Sequence, residues 1–298
     1  MITFWSNSEY RFLSNFHLIE LDIDGKKWPS VEHYYQAQKS LDESVQESIR
    51  LLSTPGKAKR AGQKIELTKD WDHRKFSVML KALLKKFEDP ELKLRLLSNE
   101  ELLVEDSPKD LIWGSGQIGS VGPGLNMLGK MLMLVRNFYG RGVHSPLDEI
   151  PALIPAESSF GAERKHDVHT GIDLHCEECS QVKSLADGTV FKVLDFTGTK
   201  AESPWWNDTQ AVVIEHDFGF VLYGEVSTLK KEGELVKQGD ILGVVKRVLK
   251  TDKGKPMTML HLEWYKSFEE AVWWKLDEPM PKNLLNPLDL LRLFKGKL

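Results

Sequence analysis

Apolar positions recur with a helical period through the first half of the chain and with short, glycine-broken alternation through the second. The clearest helix covers 71–87, where Phe76, Met79, Leu80, Leu83 and Phe87 form one stripe and Lys81 and Lys85 lie off it. The same style predicts helices over 42–53, 57–63 and 91–97, the first stopping ahead of Pro55-Gly56. Residues 125–138 are apolar nearly all round, which predicts a buried helix. Short strands are expected at 4–6, 18–22 and 103–105, with an aromatic loop over 10–16. Residues 139–146 read as a linker. Beyond them Gly188, Gly219, Gly224, Gly233, Gly239 and Gly243 divide the chain into short strands, the pattern of an antiparallel β domain. The expectation is a multidomain chain, mainly α (α+β) over 1–140 and all-β antiparallel over 147–298.

One predicted helix carries polar chemistry. Pro29-Ser30-Val31-Glu32 is a helix start. Glu32, Tyr35, Gln36 and Lys39 then fall at i, i+3, i+4 and i+7, on one face. An acid, a phenol, an amide and an amine together suit the wall of a polar pocket; an ordinary Glu-to-Lys surface face has the same spacing. Five glycines between Asp110 and Asn126 mark a second stretch of interest, Asp110-Leu111-Ile112-Trp113-Gly114-Ser115-Gly116 onward. Such a loop brings backbone close to something. Where it enters a helix its N–H groups can meet a phosphate. Its spacing is not a nucleotide-binding fingerprint, and plain flexibility is the competing reading.

A net charge of -4 excludes a broadly basic protein, so nucleic-acid contact would need a local patch. Lys57, Lys59, Arg60 and Lys64, with Lys81, Lys85 and Lys86, are candidates for one; a solvated helix face is the alternative. Two cysteines cannot make a disulfide framework. No apolar run has transmembrane length, and the start lacks a secretory pattern, so a cytoplasmic address with no membrane partner is expected.

Ser14-Asn15-Phe16, the run from Trp28 to Lys39, Val104-Glu105, Asp110 with Trp113-Gly114-Ser115-Gly116, and Gly124-Leu125-Asn126-Met127-Leu128-Gly129 resemble, in order and spacing, the NADAR family over residues 4–138. The resemblance implies a small, mainly helical N-glycosidase. One branch of the family cleaves phosphoribosylated riboflavin-pathway intermediates, and another removes ADP-ribose from modified guanine in nucleic acid. Ser40 stands where an aromatic is usual, and Met127 where arginine is common, which removes a possible phosphate contact. N-glycoside hydrolysis needs a carboxylate near an oxocarbenium-like carbon, a phosphate holder and an aromatic surface for the base. Glu32 is the first catalytic candidate; a first-turn position favours its ionised form, hence cation stabilisation or water activation. Asp110 is the second, or else a turn-forming residue. Lys39 and Arg11 are phosphate candidates. Phe12, Tyr35 and Trp113 are stacking candidates, or core. Asn15 and Asn126 are ribose candidates, Asn126 alternatively a helix cap. Gln36, Gly114 and Gly116 complete the expected substrate site, and the unit needs no cofactor.

In the second half His169-Thr170-Gly171-Ile172-Asp173 and Leu260-His261-Leu262-Glu263 place two histidines and an aspartate on strand ends. Spacing alone leaves a zinc triad and three unrelated polar residues both open. With Phe160-Gly161, Ala186-Asp187-Gly188, Leu222-Tyr223-Gly224 and Val236-Lys237-Gln238-Gly239-Asp240, these segments resemble the lysostaphin-type zinc endopeptidases over 158–291. The resemblance makes His169, Asp173 and His261 the metal ligands. Two catalytic histidines of that family are replaced, by Glu225 after Tyr-Gly and by Met259 two residues before the last ligand. The expectation is a preserved fold that can hold zinc without peptidase activity, serving as scaffold or recognition module. Cys176 and Cys179 read as a reduced pair, and Trp205-Trp206 and Trp273-Trp274 as docking surface or core. The expected substrate is ADP-ribosylated nucleic acid or a small phosphoribosyl compound. A non-catalytic ADP-ribose or NAD binder and a working zinc peptidase are the alternatives.

Overall fold

The computed structural model describes residues 1–151, 154–251, 254 and 257–294; residues 295–298 of the expected second domain lie outside them. The chain divides into two compact units, Met1–Arg141 and Gly142–Leu298.

The first unit runs β1 (Ile2–Phe4), β2 (Leu21–Ile23), β3 (Lys26–Trp28), α1 (Val31–Ala37), α2 (Glu43–Arg50), α3 (Pro55–Gly62), α4 (Trp71–Lys86), α5 (Pro90–Leu97), β4 (Leu103–Glu105) and α6 (Met127–Gly140). The first strand is earlier than expected at 4–6: Trp5 is exposed and the pairing with β4 ends at Phe4. The strand expected at 18–22 is a hairpin, β2 with β3. Asp24 and Gly25 both take positive φ, 55° and 74°, the turn that matches strand twist. Pro55 does not separate two helices. It is the first residue of α3, where its missing N–H costs nothing, and the Thr54 side chain caps the helix through the Lys57 amide. Ser30, Asp42 and Asp89 cap α1, α2 and α5 in the same way.

α4 packs against α1, α6 and β2, and α6 packs against β4. All seven residues of α1 are buried, so it is an interior helix. α6 starts at Met127, two residues later than expected, because Asn126 sits at φ 49°. The Asn126 amide does not cap α6. Its Nδ2 donates to the Leu103 carbonyl at 2.8 Å and its Oδ1 accepts from the Glu105 amide at 3.0 Å, clamping β4. Asn126, expected as a ribose contact, spends one N–H and one oxygen lone pair in this clamp. The approach of α6 depends on Gly129, where a Cβ would lie 2.1 Å from the Leu103 carbonyl oxygen.

The second unit runs β5 (Ile172–His175), β6 (Gln181–Lys183), β7 (Gly188–Thr197), β8 (Thr209–His216), β9 (Gly219–Ser227), β10 (Leu235–Val236), β11 (Ile241–Val245), β12 (Met259–Tyr265), β13 (Leu284–Leu285) and α7 (Leu288–Phe294). Its strands form one antiparallel sheet in the order β10-β7-β8-β9-β11-β6, with β12 joining β9 to β5 and β13. Tyr265, Trp274, Leu222, Phe268 and Met280 centre its core. Part of the expected linker belongs here: the His144 amide donates to Leu185, the Pro146 carbonyl accepts from Lys183, and Leu147 is buried. Among the described residues no helix is long and apolar enough to cross a membrane.

Candidate functional site

Ser30 starts α1 by accepting the His33 amide, and its Oγ lies 2.8 Å from His33 Nδ1. This places Glu32 in the first turn, 5% exposed, with its own amide bonded to the Asn15 carbonyl. Gln36 Nε2 donates to Glu32 Oε1 at 2.8 Å. Gln36 in turn rests on Gly62: a Cβ there would lie 2.0 Å from Gln36 Oε1. Lys39 Nζ donates to the Gly62 carbonyl at 3.2 Å and lies 6.0 Å from the Tyr35 ring centre. The first-turn position favours an ionised Glu32, and burial works against it. Burial pushes the carboxyl above its ordinary value, with Asp110 adding to the rise, against the Gln36 bond and the charges of Lys59 and Lys39.

Asp110 builds the next turn, its Oδ1 accepting from the amides of Ile112 at 3.0 Å and Trp113 at 2.8 Å. That turn sets Trp113 edge-on to Tyr35 at 5.5 Å and against Phe76 at 5.1 Å, while Tyr35 also meets Trp71. Asp110 forms this turn and also acts electrostatically on Glu32 and Glu105.

Several amides of the glycine loop are bonded within the unit. The amides of Ser115 and Gly116 go to Glu105 and Ser107, Gly119 to Asp106, and Gly124 to Ser115. Its glycines serve self-packing: a Cβ on Gly114 would meet Ser107 Cβ at 2.4 Å, and one on Gly116 would meet Leu111 at 2.7 Å. Phe12 is core rather than stacking surface, 2% exposed with the Arg95 guanidinium 4.0 Å over its ring. Arg11 acts on His17, not on the Glu32 group. Met127 is fully buried. Asn15 is buried, its Nδ2 3.5 Å from Met79 Sδ and its Oδ1 without a partner. Gln36 Oε1 is likewise unpartnered, so two buried acceptors are open to a ligand.

Two residues of this cluster were not sequence candidates for the pocket. Glu105, at the end of β4, is pushed up to about 8 by burial, then by Asp110 and Glu32, with Lys59 opposing. Lys59, on α3, acts on Glu32, Glu105 and Lys39 and lies 5.8 Å from the Phe16 ring. The available signal was an acid closing a strand just ahead of the glycine loop.

In the second unit β5 and β12 pair with His261 opposite Asp173. Asp173 Oδ1 lies 2.7 Å from His261 Nδ1 and 3.2 Å from His169 Nε2, and those two nitrogens are 3.3 Å apart. A tetrahedral zinc with bonds of about 2.05 Å needs donors about 3.3 Å apart, so the set fits with a small opening at one edge. The outer nitrogens are oriented as metal-binding histidines require: His169 Nδ1 faces the Ser159 carbonyl at 3.0 Å and His261 Nε2 faces Glu263 Oε1 at 3.1 Å. Glu263 is itself held by Thr170 and Tyr265. Arg164 pairs with Asp173 Oδ2 at 2.7 Å. Burial works against charge on His261, but Asp173 and Glu263 outweigh it and raise the ring to about 10, marking the place where a cation is favoured.

Family models match a NADAR domain over residues 3–138 and peptidase family M23 over 167–272. N-glycosidase YbiA of Escherichia coli is 44% identical over 141 residues, 46% of this chain and 86% of that protein. The chain belongs to the NADAR family. N-glycosidase Npun_R5314 of Nostoc punctiforme is 42% identical over 134 residues, covering 43% of this chain and 84% of that one. Riboflavin biosynthesis protein PYRR of Zea mays is 36% identical over 148 residues, covering 45% and 22%. Among solved structures, the NMR structure of E. coli YbiA matches at TM-score 0.42 and 42% identity, covering 46% and 82%. The catalytic domain of lysostaphin from Staphylococcus simulans matches at TM-score 0.30 and 17% identity, covering 50% and 91%. The family-model match and the sheet topology make the second unit an antiparallel β domain of M23 type.

In the NADAR unit the basic patch is smaller than expected. Lys81 pairs with Asp24, Lys85 with Glu88, and Lys86 is fully buried. Lys57, Arg60 and Lys64 line one shallow cleft on α3 with Leu52, Ala61 and Gln63. Outside it, Trp274 is core, while Trp205 and Trp273 are exposed. Cys176 and Cys179 are free thiols.

Gly62 gives a direct test of the site's geometry. Gly62→Ala is expected to push Gln36 off Glu32, destabilise the chain by about 1–3 kcal/mol and lower turnover. Denaturant unfolding and a turnover assay check this; an unchanged variant would show that the Gly62–Gln36 contact is not needed.

Proposed function

We propose that the NADAR unit is an N-glycosidase cleaving the bond between a nitrogen base and an ADP-ribosyl or phosphoribosyl group, and that it removes ADP-ribose from modified guanine in nucleic acid. The observation that carries this is Glu32, buried at the start of α1, bonded by Gln36 and flanked by the charges of Lys39 and Lys59. Ionised, it stabilises positive charge at the anomeric carbon and takes a proton from the attacking water. Glu105, pushed up to about 8, keeps its proton at neutral pH and is the group able to hand one to the departing base nitrogen. The reaction asks opposite protonation states of these two carboxyl groups, Glu32 ionised and Glu105 protonated. Asn15 Oδ1 and Gln36 Oε1 are acceptors for sugar hydroxyls. Lys39 and Lys59 match a phosphate, and the Tyr35–Trp113 pair walls the base side.

Relatives named N-glycosidases support the reaction class. The cleft of Lys57, Arg60 and Lys64 lies on the helix that carries Lys59, which supports a polyanionic substrate. A second reading rests on relatives named for riboflavin biosynthesis, in Zea mays and Vibrio vulnificus: a phosphoribosylated riboflavin-pathway intermediate as substrate. Incubating the full chain with ADP-ribosylated DNA and, separately, with a phosphoribosylated pyrimidine decides between them. Freed ADP-ribose from the first is the expected product by mass spectrometry. Sugar phosphate from the second alone would install the second reading, and tight binding without product from either would make the unit a binding module. The M23-type unit is read as a non-peptidase module.

A further inference from the structure

His33 follows Glu32 directly and is fully buried, yet the reaction gives it no part. Its Nε2 lies 3.0 Å from the Leu52 carbonyl. A carbonyl only accepts, so Nε2 carries the hydrogen, and the neutral ring leaves Nδ1 as an acceptor. Ser30 Oγ lies 2.8 Å from Nδ1 and also accepts the His33 amide at 3.3 Å. Its hydroxyl therefore donates to the ring while its lone pair holds the backbone. Burial lowers the ring below its ordinary 6.5, against the Leu52 bond, which keeps it neutral at neutral pH. Every polar atom of the imidazole is thus committed.

The two ends of this bridge matter to the site. One end is the first turn of α1. A seven-residue helix does not hold its own shape in water, and helix ends fray. Glu32 sits in that turn, its amide tied to the Asn15 carbonyl. The ring of the next residue ties the same turn to Leu52. The other end is the corner between α2 and α3. Leu52 stands two residues before Thr54, which caps α3 through the Lys57 amide. α3 carries Lys59 and ends at Gly62, against which Gln36 rests. Leu52 itself lines the cleft of Lys57, Arg60 and Lys64.

We propose that His33 is a positioning residue for the glycosidase reaction, fixing the Glu32 turn against the helix that supplies Lys59; this rests on Glu32 being the carboxylate that meets the anomeric carbon. The ring touches no substrate and moves no proton. It acts by its two fixed bonds, through the residue before it.

The test uses three variants of the full chain. His33→Gln keeps an N–H able to reach the Leu52 carbonyl. His33→Asn is too short for Leu52 but keeps a polar group near Ser30. His33→Phe keeps the bulk and loses both bonds. Turnover is measured on ADP-ribosylated DNA or on the phosphoribosylated pyrimidine, whichever wild type hydrolyses, with denaturant unfolding alongside. His33→Phe is expected to lower kcat about 10- to 100-fold, because a misplaced carboxylate loses its alignment. KM should stay within about threefold. The acid limb of the pH profile, which belongs to Glu32, should move down toward 4.5 as the turn loosens and water reaches the carboxyl. Lys59, Lys39 and Asp110, the charged groups acting on Glu32, are the same in all three variants. His33→Gln should recover most of kcat and the limb. His33→Asn should fall as His33→Phe does, and it carries the test should the phenylalanine not fold. An unmoved limb, with kcat falling only by the unfolded fraction, would overturn the proposal, and so would a His33→Gln no better than His33→Asn. Glu32→Gln is run beside them. If it keeps wild-type turnover, the role of Glu32 fails and takes this inference with it. If it is inactive while the His33 variants match wild type, the role of His33 alone fails.

Discussion

Glu32→Gln is expected to lower sugar release about 10³-fold while leaving the fold intact. The substitution keeps the shape of the side chain and removes a buried charge whose desolvation raises its pKa. The unfolding midpoint should therefore hold or rise, which separates loss of chemistry from loss of structure. A pH profile adds a second readout. Because burial holds the carboxyl above its ordinary value of 4.5, the wild-type rate should climb with pH through an acid limb above that value. In Glu32→Gln the limb should vanish from the residual rate. Unchanged turnover, or a variant that keeps the acid limb, would remove Glu32 from the reaction.

The second large effect is on stability. Lys86 lies at the end of α4, fully buried, its Nζ 2.8 Å from the Ser14 carbonyl. Burial lowers its ammonium to about 7 from an ordinary 10.5. Between those values the unfolded chain binds a proton that the folded chain lacks, so stability rises with pH across that window. Below about 7 the penalty for burying the charge is present in full, and above 10.5 it is absent. From pH 7 to 9.5 wild type should gain on the order of 3 kcal/mol relative to Lys86→Met. The Ser14 carbonyl keeps the His17 amide in that variant, so the substitution does not orphan it. Denaturant unfolding at the two pH values measures the difference, and parallel curves for the two proteins would refute the buried charge.

Helical periodicity located α4 and α5 closely because their apolar stripes face one core. The boundaries that moved did so for local reasons. Pro55 and Asn126 are residues whose ordinary role in breaking or capping a helix was replaced by another contact. The polar face of α1 was legible from its spacing, but its protonation was not. Spacing reports the helix terminus, whereas the burial of all seven residues comes from α2, α3 and α4. Lys86 gave the same kind of misreading, since a lysine beside an apolar stripe looks solvated until the loop at Ser14 closes over it. The cluster of His169, Asp173 and His261 was visible only through resemblance, because its members come from segments about ninety residues apart that β5–β12 pairing brings together. Glu105 went unassigned and Lys59 was read only as part of a basic patch, because each is a common surface residue type, brought near Glu32 by tertiary packing.

The parallel pairing of β1 with β4 sets an order of events as the chain is made. Ile2 has no partner until Leu103 exists, and Phe4 meets Glu105 in the same register. The closing loop between them is long, and its entropy cost falls on a three-residue strand with little to offer by itself. The helices between can assemble first, since α1 finds α2, α3 and α4 within a short span of chain. Seating of β1 therefore waits for residues 103–105, and Phe4 then lies opposite Glu105.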